Sequence, residues 1–371
     1  MTTAPRILIL TAAFGEGHNS AARNLAHALN AQGAVASVKD PCMLASPRLM
    51  SLVNSAYRLV TTRFPRFWKI VYESTARHDF SRRGSPVMRK VDAVLVSLVD
   101  EFKPDAVVST YPLYPYFLPH ILEALPKKVP AFTVVTDSIE INAAWIRLKC
   151  DAWLVTDEYT RERMIKSGVS AAQLIATGFP VHPDLSKLVP LPLTDSCKPF
   201  RILYFPMANA ALLADHATAI LSASPDVVLT MVLGRNLRLL YKRAREVKAA
   251  FPGRVQILGW TRRIPQLLGN HHLVVGKAGG ATVHEAIAAC CPMMIHHLVP
   301  GQEEGNLELL EIINGGGLAD QPNTLKRSVN NMLADNAAGW RAMKAALATH
   351  NRNDGAIAAA KVVLKKLIAD S

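Results

Sequence analysis

The sequence predicts an α/β protein made of two doubly wound parallel-sheet, Rossmann-like domains facing across a cleft. Three observations carry that expectation. Short apolar runs alternate with amphipathic helical stretches through the first half of the chain, and the same alternation restarts in the second half. Between Leu188 and Pro199 the text changes to prolines among polar residues, as in a linker. With 371 residues, 50% of them hydrophobic, the chain can bury two cores. Strand–helix–strand order implies parallel strands with crossover helices, and such sheets bind ligands at the carboxyl ends of their strands. The expected divisions are 1–187, a linker at 188–199, 200–350, and a last helix in 351–371 that can pack back on the first domain.

Taken in order, Arg6–Thr11 reads as a buried strand, Asn19–Gln32 as a helix closed by Gly33, and Ala34–Asp40 as a second strand. Val91, Leu95, Leu98, Val99 and Phe102 share one helical face before Pro104 ends that helix. Strands follow at Ala106–Ser109, Ala131–Thr136 and Ala152–Val155. After the proline stretch they recur at Arg201–Phe205, Val227–Leu233, Val255–Leu258, Leu273–Gly276 and Met293–His296. No apolar run approaches the ~18 residues of a membrane span, and Ile7–Ala13 reads as a strand rather than a signal peptide. Five cysteines without a C-x-x-C pair fit a reducing compartment, with no disulfide framework or structural zinc.

The net charge of +13 calls for an anionic partner. Between Arg48 and Lys90 stand ten basic residues, among them Arg63, Arg66, Arg82 and Arg83, against two acids. Tyr57, Phe64, Phe67, Trp68 and Tyr72 are interleaved with them. Aromatics mixed with cations suit the surface of an anionic bilayer. Nucleic acid uses the same residue types, and a solvated hairpin with inward-facing rings is the plain alternative.

Two stretches carry chemistry. In the first, Gly279 and Gly280 open a turn after a buried strand, ahead of a helix expected from Thr282. Bare backbone and a positive helix end make an anion cradle there. Glu285 is a carboxylate for a ribose, and Gln302, Glu303 and Asn306 form a polar loop downstream. Thr282-x-x-Glu285 also has the spacing of a capping box, which would account for both residues with no ligand. In the second stretch, Gly15-Glu16-Gly17 makes a sharp turn that puts His18 at a helix start. A neutral imidazole at that edge can take a proton from a hydroxyl. The same turn weakly echoes a dinucleotide fingerprint, but Ser20 stands where a third glycine belongs. Asp137, after its strand, is either a second catalytic candidate or the cap of the next turn. His271-His272 and His296-His297 are left structural, because neighbours on a strand point to opposite faces.

Taken together, the motifs resemble the monogalactosyldiacylglycerol synthase and diacylglycerol glucosyltransferase family, inverting UDP-sugar-dependent lipid glycosyltransferases of the GT-B architecture. The resemblance rests on Phe14-Gly15-Glu16-Gly17-His18, Val135-Thr136-Asp137 followed by Trp145, and Thr177-Gly178-Phe179-Pro180-Val181. In the second half it rests on Leu233-Gly234-Arg235-Asn236, Leu258-Gly259-Trp260-Thr261, Gly276–Thr282 and Pro300–Asn306. It implies that His18 is the base on the acceptor hydroxyl and that Gly279, Gly280, Ala281 and Thr282 line the diphosphate. Glu285 would bind the ribose, Gln302 and Glu303 the sugar hydroxyls, and Arg235 and Trp260 the pyrophosphate and uracil. The basic–aromatic segment falls where this family docks on anionic lipid. One departure stands out: Pro206–Ala211 lacks the family's glycine-rich turn near the donor.

The activity implied is transfer of galactose or glucose from a UDP-hexose to diacylglycerol at the cytoplasmic face of a membrane. The protein would be peripheral, with no nucleic-acid partner, no cofactor and no metal, since no Asp-x-Asp is present. The alternatives are transfer of N-acetylglucosamine to a polyprenyl-linked acceptor, a UDP-sugar epimerase, and a non-catalytic anionic-lipid-binding protein.

Overall fold

The apolar runs become strands of two six-stranded sheets, every pairing parallel. The computed structural model describes residues 4–77, 85–147, 149–301, 303–350 and 352–369. The chain divides into two units: Met1–Pro183 with Val299–Gly305 and Asp354–Ser371, and Asp184–Leu298 with Asn306–Asn353.

In the first unit the strands are β1 (Arg6–Leu10), β2 (Val35–Lys39), β3 (Ala106–Ser109), β4 (Ala131–Val134), β5 (Ala152–Val155) and β6 (Leu174–Ala176), in the order β2-β1-β3-β4-β5-β6. The chain reverses its direction of travel across the sheet between β1 and β3. A crevice therefore opens at their carboxyl ends. Alternation along β1 sends Ile7 and Ile9 to one face and Leu8 and Leu10 to the other. The first pair packs on Leu25 and Leu29 of the helix Glu16–Ala31, the second on Val91, Leu95 and Val99 of the helix Pro86–Phe102. Truncating a fully buried leucine here, such as Leu95, would cost ~2–5 kcal/mol.

The C-terminal helix Gly355–Ala369 packs on the helix Glu16–Ala31 and adds Ala356, Ala359, Ala360 and Val363 to that core. Small residues allow the close approach. A Cβ on Gly355 would lie 2.1 Å from the carbonyl oxygen of Phe179. The segment 188–199, expected as the interdomain linker, groups with the second unit. Cys197 is buried there, and Asp195 bonds to Arg201 and His272.

The second unit holds β7 (Phe200–Tyr204), β8 (Val227–Val232), β9 (Val255–Leu258), β10 (Leu273–Lys277), β11 (Met293–His297) and β12 (Gly316–Leu318), in the order β12-β11-β10-β7-β8-β9. Its direction reverses between β7 and β10, so the loops after Tyr204 and Lys277 flank the crevice of this sheet. Neither β6 nor β12 was foreseen. Each has three residues, and β12 is Gly-Gly-Leu, too short and too poor in side chains to carry an alternation signal. Among the described residues no helix is long and apolar enough to cross a membrane.

Candidate active site

Gly15 closes the turn after β1 with φ 95°, a left-handed conformation that suits glycine. Gly17 does not share that role, having neither positive φ nor a crowded surround. The helix begins at Glu16 rather than Asn19, so His18 stands within its first turn. Its ring reaches the end of β3, where Nδ1 lies 2.8 Å from the carbonyl oxygen of Thr110 and 2.9 Å from Thr136 Oγ1. A carbonyl oxygen only accepts, so the proton sits on Nδ1 and Nε2 keeps its lone pair. Burial holds the ring well below the ordinary histidine value, at about 4, against the opposing pull of the Thr110 carbonyl. His18 is therefore neutral near pH 7, and Nε2 has no partner among the described residues.

His18 lines a cavity of about 210 Å³ walled by Phe14, Tyr57, Trp68, Tyr72, Tyr111 and Trp145, with Asp137 at its side. Tyr111 packs edge-on to the imidazole at 5.1 Å between ring centres. Among the described residues Asp137 caps no helix. Its Oδ2 accepts the indole N–H of Trp145 at 2.8 Å. Burial raises its carboxyl to about 6, opposed by the Trp145 hydrogen bond and reinforced by the charge of Glu303. An apolar chamber with one neutral imidazole and one carboxylate can hold an apolar molecule bearing a hydroxyl and remove its proton.

The polar loop 299–305 belongs to this first unit. Glu303 is buried, and its Oε2 accepts the backbone N–H of Val299 at 3.1 Å. Glu304 pairs with Lys69 at 3.2 Å. A Cβ on Gly305 would lie 1.8 Å from the Ser138 carbonyl oxygen, so only glycine permits that approach. Gln302 lies outside the described residues.

In the second unit the helix after β10 starts at Gly280, not Thr282. Gly279 is its cap residue and no side chain caps it. Thr282 therefore sits inside the first turn, and the capping box is not formed. The orphan amide groups of Gly280, Ala281 and Thr282 are those an anion would use. Asn306 braces this turn from behind: it is buried and donates Nδ2–H to the Ala278 carbonyl at 3.0 Å. Glu285 is half-buried one turn further on. The neighbouring loop after β7, which lacks glycine, is organised differently. Asn209 Oδ1 accepts from the amides of Ala211 and Leu212, which caps the helix Ala210–Leu221. Of the two helix ends flanking the β7–β10 crevice, only the one at Gly280 has no side-chain cap.

Arg235 is exposed in a turn after β8, and Trp260 is exposed after β9 with the Arg262 guanidinium 5.4 Å from its ring centre. His296 Nε2 donates to the Phe205 carbonyl at 3.0 Å. Asp195, Cys197 and His272 bring their donor atoms within 4.8 Å of one another. A cation is disfavoured there. His272 Nδ1 accepts the Arg201 N–H, which leaves Nε2 protonated and donating to Asp195, and Arg201 also reaches Asp195.

The basic–aromatic segment forms the helices Pro47–Arg63 and Pro65–Arg77. Leu52, Leu59, Phe64, Phe67 and Ile70 are exposed on them. Trp68, expected beside Phe67 on the lipid-facing side, turns inward instead. It lines the cavity and packs edge-on to Tyr57 at 4.9 Å, because successive helix residues point about 100° apart. Lys69 is engaged with Glu304. Arg82 and Arg83, and the side chains of Arg63 and Arg66, lie outside the described residues. Thr110, Thr136 and Tyr111 carry no local signal as contacts of His18, although Thr136 directly precedes Asp137 in Val135-Thr136-Asp137.

The family model for monogalactosyldiacylglycerol (MGDG) synthase matches residues 18–181. The chain is similar to the processive diacylglycerol beta-glucosyltransferase of Bacillus subtilis (strain 168), with 24% identity over 100% of this chain and 97% of that protein. Among solved structures it resembles Acinetobacter baumannii MurG (TM-score 0.63, 15% identity, 97% and 99% of the two chains). It also resembles the glycotransferase of kitacinnamycin (TM-score 0.62, 14% identity, 99% and 100%). These likenesses make the fold GT-B.

Proposed function

We propose that the chain, whose residues 18–181 match the family model for monogalactosyldiacylglycerol (MGDG) synthase, transfers glucose or galactose from a UDP-hexose to 1,2-diacylglycerol with inversion. The observation that carries this reading is His18, held neutral with its free Nε2 on the wall of an aromatic cavity. The first unit supplies the acceptor side. Nε2 takes the proton of the acceptor hydroxyl, whose oxygen forms a bond to the anomeric carbon as the bond to UDP breaks. Thr110 and Thr136 receive the Nδ1–H of the imidazolium that results. One displacement inverts the anomeric configuration.

The second unit supplies the donor side. The free amides at Gly280, Ala281 and Thr282, with Arg235, stabilise the diphosphate as its charge grows. Glu285 binds the ribose and Trp260 stands by the base, while Glu303 and Gln302, on the loop 299–305 of the first unit, serve the sugar. This account needs no metal. The exposed Leu52, Leu59, Phe64, Phe67 and Ile70 support a peripheral contact with the cytoplasmic face of a membrane, where the acceptor resides. Incubation with UDP-glucose or UDP-galactose and diacylglycerol, followed by lipid analysis and NMR of the anomeric proton, tests the proposal. A β-glycosyl diacylglycerol is expected; no glycolipid from either donor would overturn the reading.

A further inference from the structure

The net charge is concentrated in two places. One is the basic–aromatic segment of the first unit. The other runs from Arg235 to Arg263 in the second unit and holds nine basic residues against one acid, Glu246. Part of this surplus is used internally: Arg254 donates to the carbonyls of Val227, Leu221 and Ser224, and Arg243 pairs with Glu246. The rest is presented outwards. On the helix Leu237–Ala250, Leu240, Ala244 and Val247 are buried. Arg238, Lys242 and Arg245 recur at the spacing of the opposite face and are exposed. Beside them Leu239 is 58% and Tyr241 47% exposed, neither packed into the core. Leu239 and Tyr241, the latter with the Arg245 guanidinium 6.0 Å from its ring centre, thus stand among cations on one exposed stretch of helix.

We propose that this outer face of the helix Leu237–Ala250 is a second contact for an anionic lipid surface, belonging to the second unit. The inference rests on the reading that the enzyme works at a membrane. The cations meet lipid phosphates while Leu239 and Tyr241 enter the headgroup boundary, the residue pattern of an interfacial helix. Nucleic acid would use the cations equally well. An exposed leucine, however, has no flat face on which bases stack, and the mixture therefore favours lipid.

The test uses the full chain with Leu239→Cys in a Cys150→Ser background, labelled with an environment-sensitive fluorophore; the other four cysteines are buried. Added phosphatidylglycerol vesicles should shift the probe emission to the blue, with phosphatidylcholine vesicles and duplex DNA giving no shift. Replacing Arg238, Lys242 and Arg245 by Glu should weaken the response at least tenfold while the thermal midpoint and UDP affinity stay unchanged. Sedimentation with vesicles but a silent probe would overturn this inference and leave the first-unit contact standing. An equal response to DNA would overturn it in favour of nucleic acid. Absence of sedimentation with any vesicle would overturn both membrane readings, and the glycolipid assay would then judge the enzymatic one separately.

Discussion

Replacing Thr136 by Val removes a hydroxyl from His18 and little else, because the two side chains have nearly the same shape. Thr136 Oγ1 is one of two oxygens at Nδ1, the other being the Thr110 carbonyl, which the substitution leaves in place. In the resting enzyme the imidazole is neutral, and the lost hydrogen bond is worth about 1 kcal/mol. As His18 gains a proton in the transition state the same contact becomes charge-assisted, worth roughly 1.5–3 kcal/mol. Only the difference slows the reaction, and about 1 kcal/mol corresponds to a fall in kcat of roughly fivefold. UDP-sugar KM should not change. His18→Ala removes the proposed base and should cost on the order of 10²–10⁴ in kcat. The assay is initial rate against donor concentration, with Thr136→Ser as the conservative control that restores activity. The pH profile separates the two acids. His18 titrates near 4, below the working range, so a loss of rate on acidification through about pH 6 belongs to Asp137, whose negative charge assists the imidazolium. Asp137→Asn should lower the rate and abolish that limb. A loss in Thr136→Val as large as in His18→Ala, or an acid limb at pH 6 that survives Asp137→Asn, would refute the reasoning.

Glu285→Ala should weaken UDP binding, measured by calorimetry, by roughly tenfold, with no loss of thermal stability, since the helix at Gly280 has no side-chain cap to lose. Transfer should persist in EDTA; a rate lost there and restored by Mn²⁺ would defeat the proposal that backbone amides neutralise the diphosphate. Leu52→Asp with Phe67→Asp should release the protein from phosphatidylglycerol vesicles, whereas Trp68→Ala should leave sedimentation intact and lower transfer, because Phe67 is exposed and Trp68 lines the cavity. His18, His272 and His296 are each held near 4 by burial, against 6.5 when unfolded. At these three rings the unfolded chain binds more protons between these values, which outweighs the single opposing carboxyl of Asp137, raised to about 6, and the thermal midpoint should fall as pH drops from about 6.5 to 4. A midpoint constant across that window would contradict the burial of these rings.

Local pattern determined a good deal of this protein by itself. The period-2 and period-3.6 runs specify parallel strands and crossover helices, because each strand must bury both faces and each helix one stripe. Gly15 and the Gly279-Gly280 pair mark where the backbone turns at the ends of β1 and β10, beside the candidate residues of each unit. What the chain does at those places depended on residues far away in sequence. The proton on His18 is assigned by Thr110, 92 positions on, and by Thr136, 118 positions on. No window of local sequence contains such a pair. Phe67 and Trp68 read alike as neighbouring aromatics, yet one faces solvent and the other the cavity, because tertiary contacts such as Trp68 on Tyr57 and Lys69 on Glu304 set the rotation of that helix. Thr282 and Glu285 fit a capping box by spacing, and the true helix start at Gly280 removed it. Within the proline-rich stretch, nothing local shows that Asp195 meets Arg201 and His272. Periodicity and turn chemistry are properties of a few adjacent residues. Tautomers, helix rotation and the use of a charge are settled where distant segments meet.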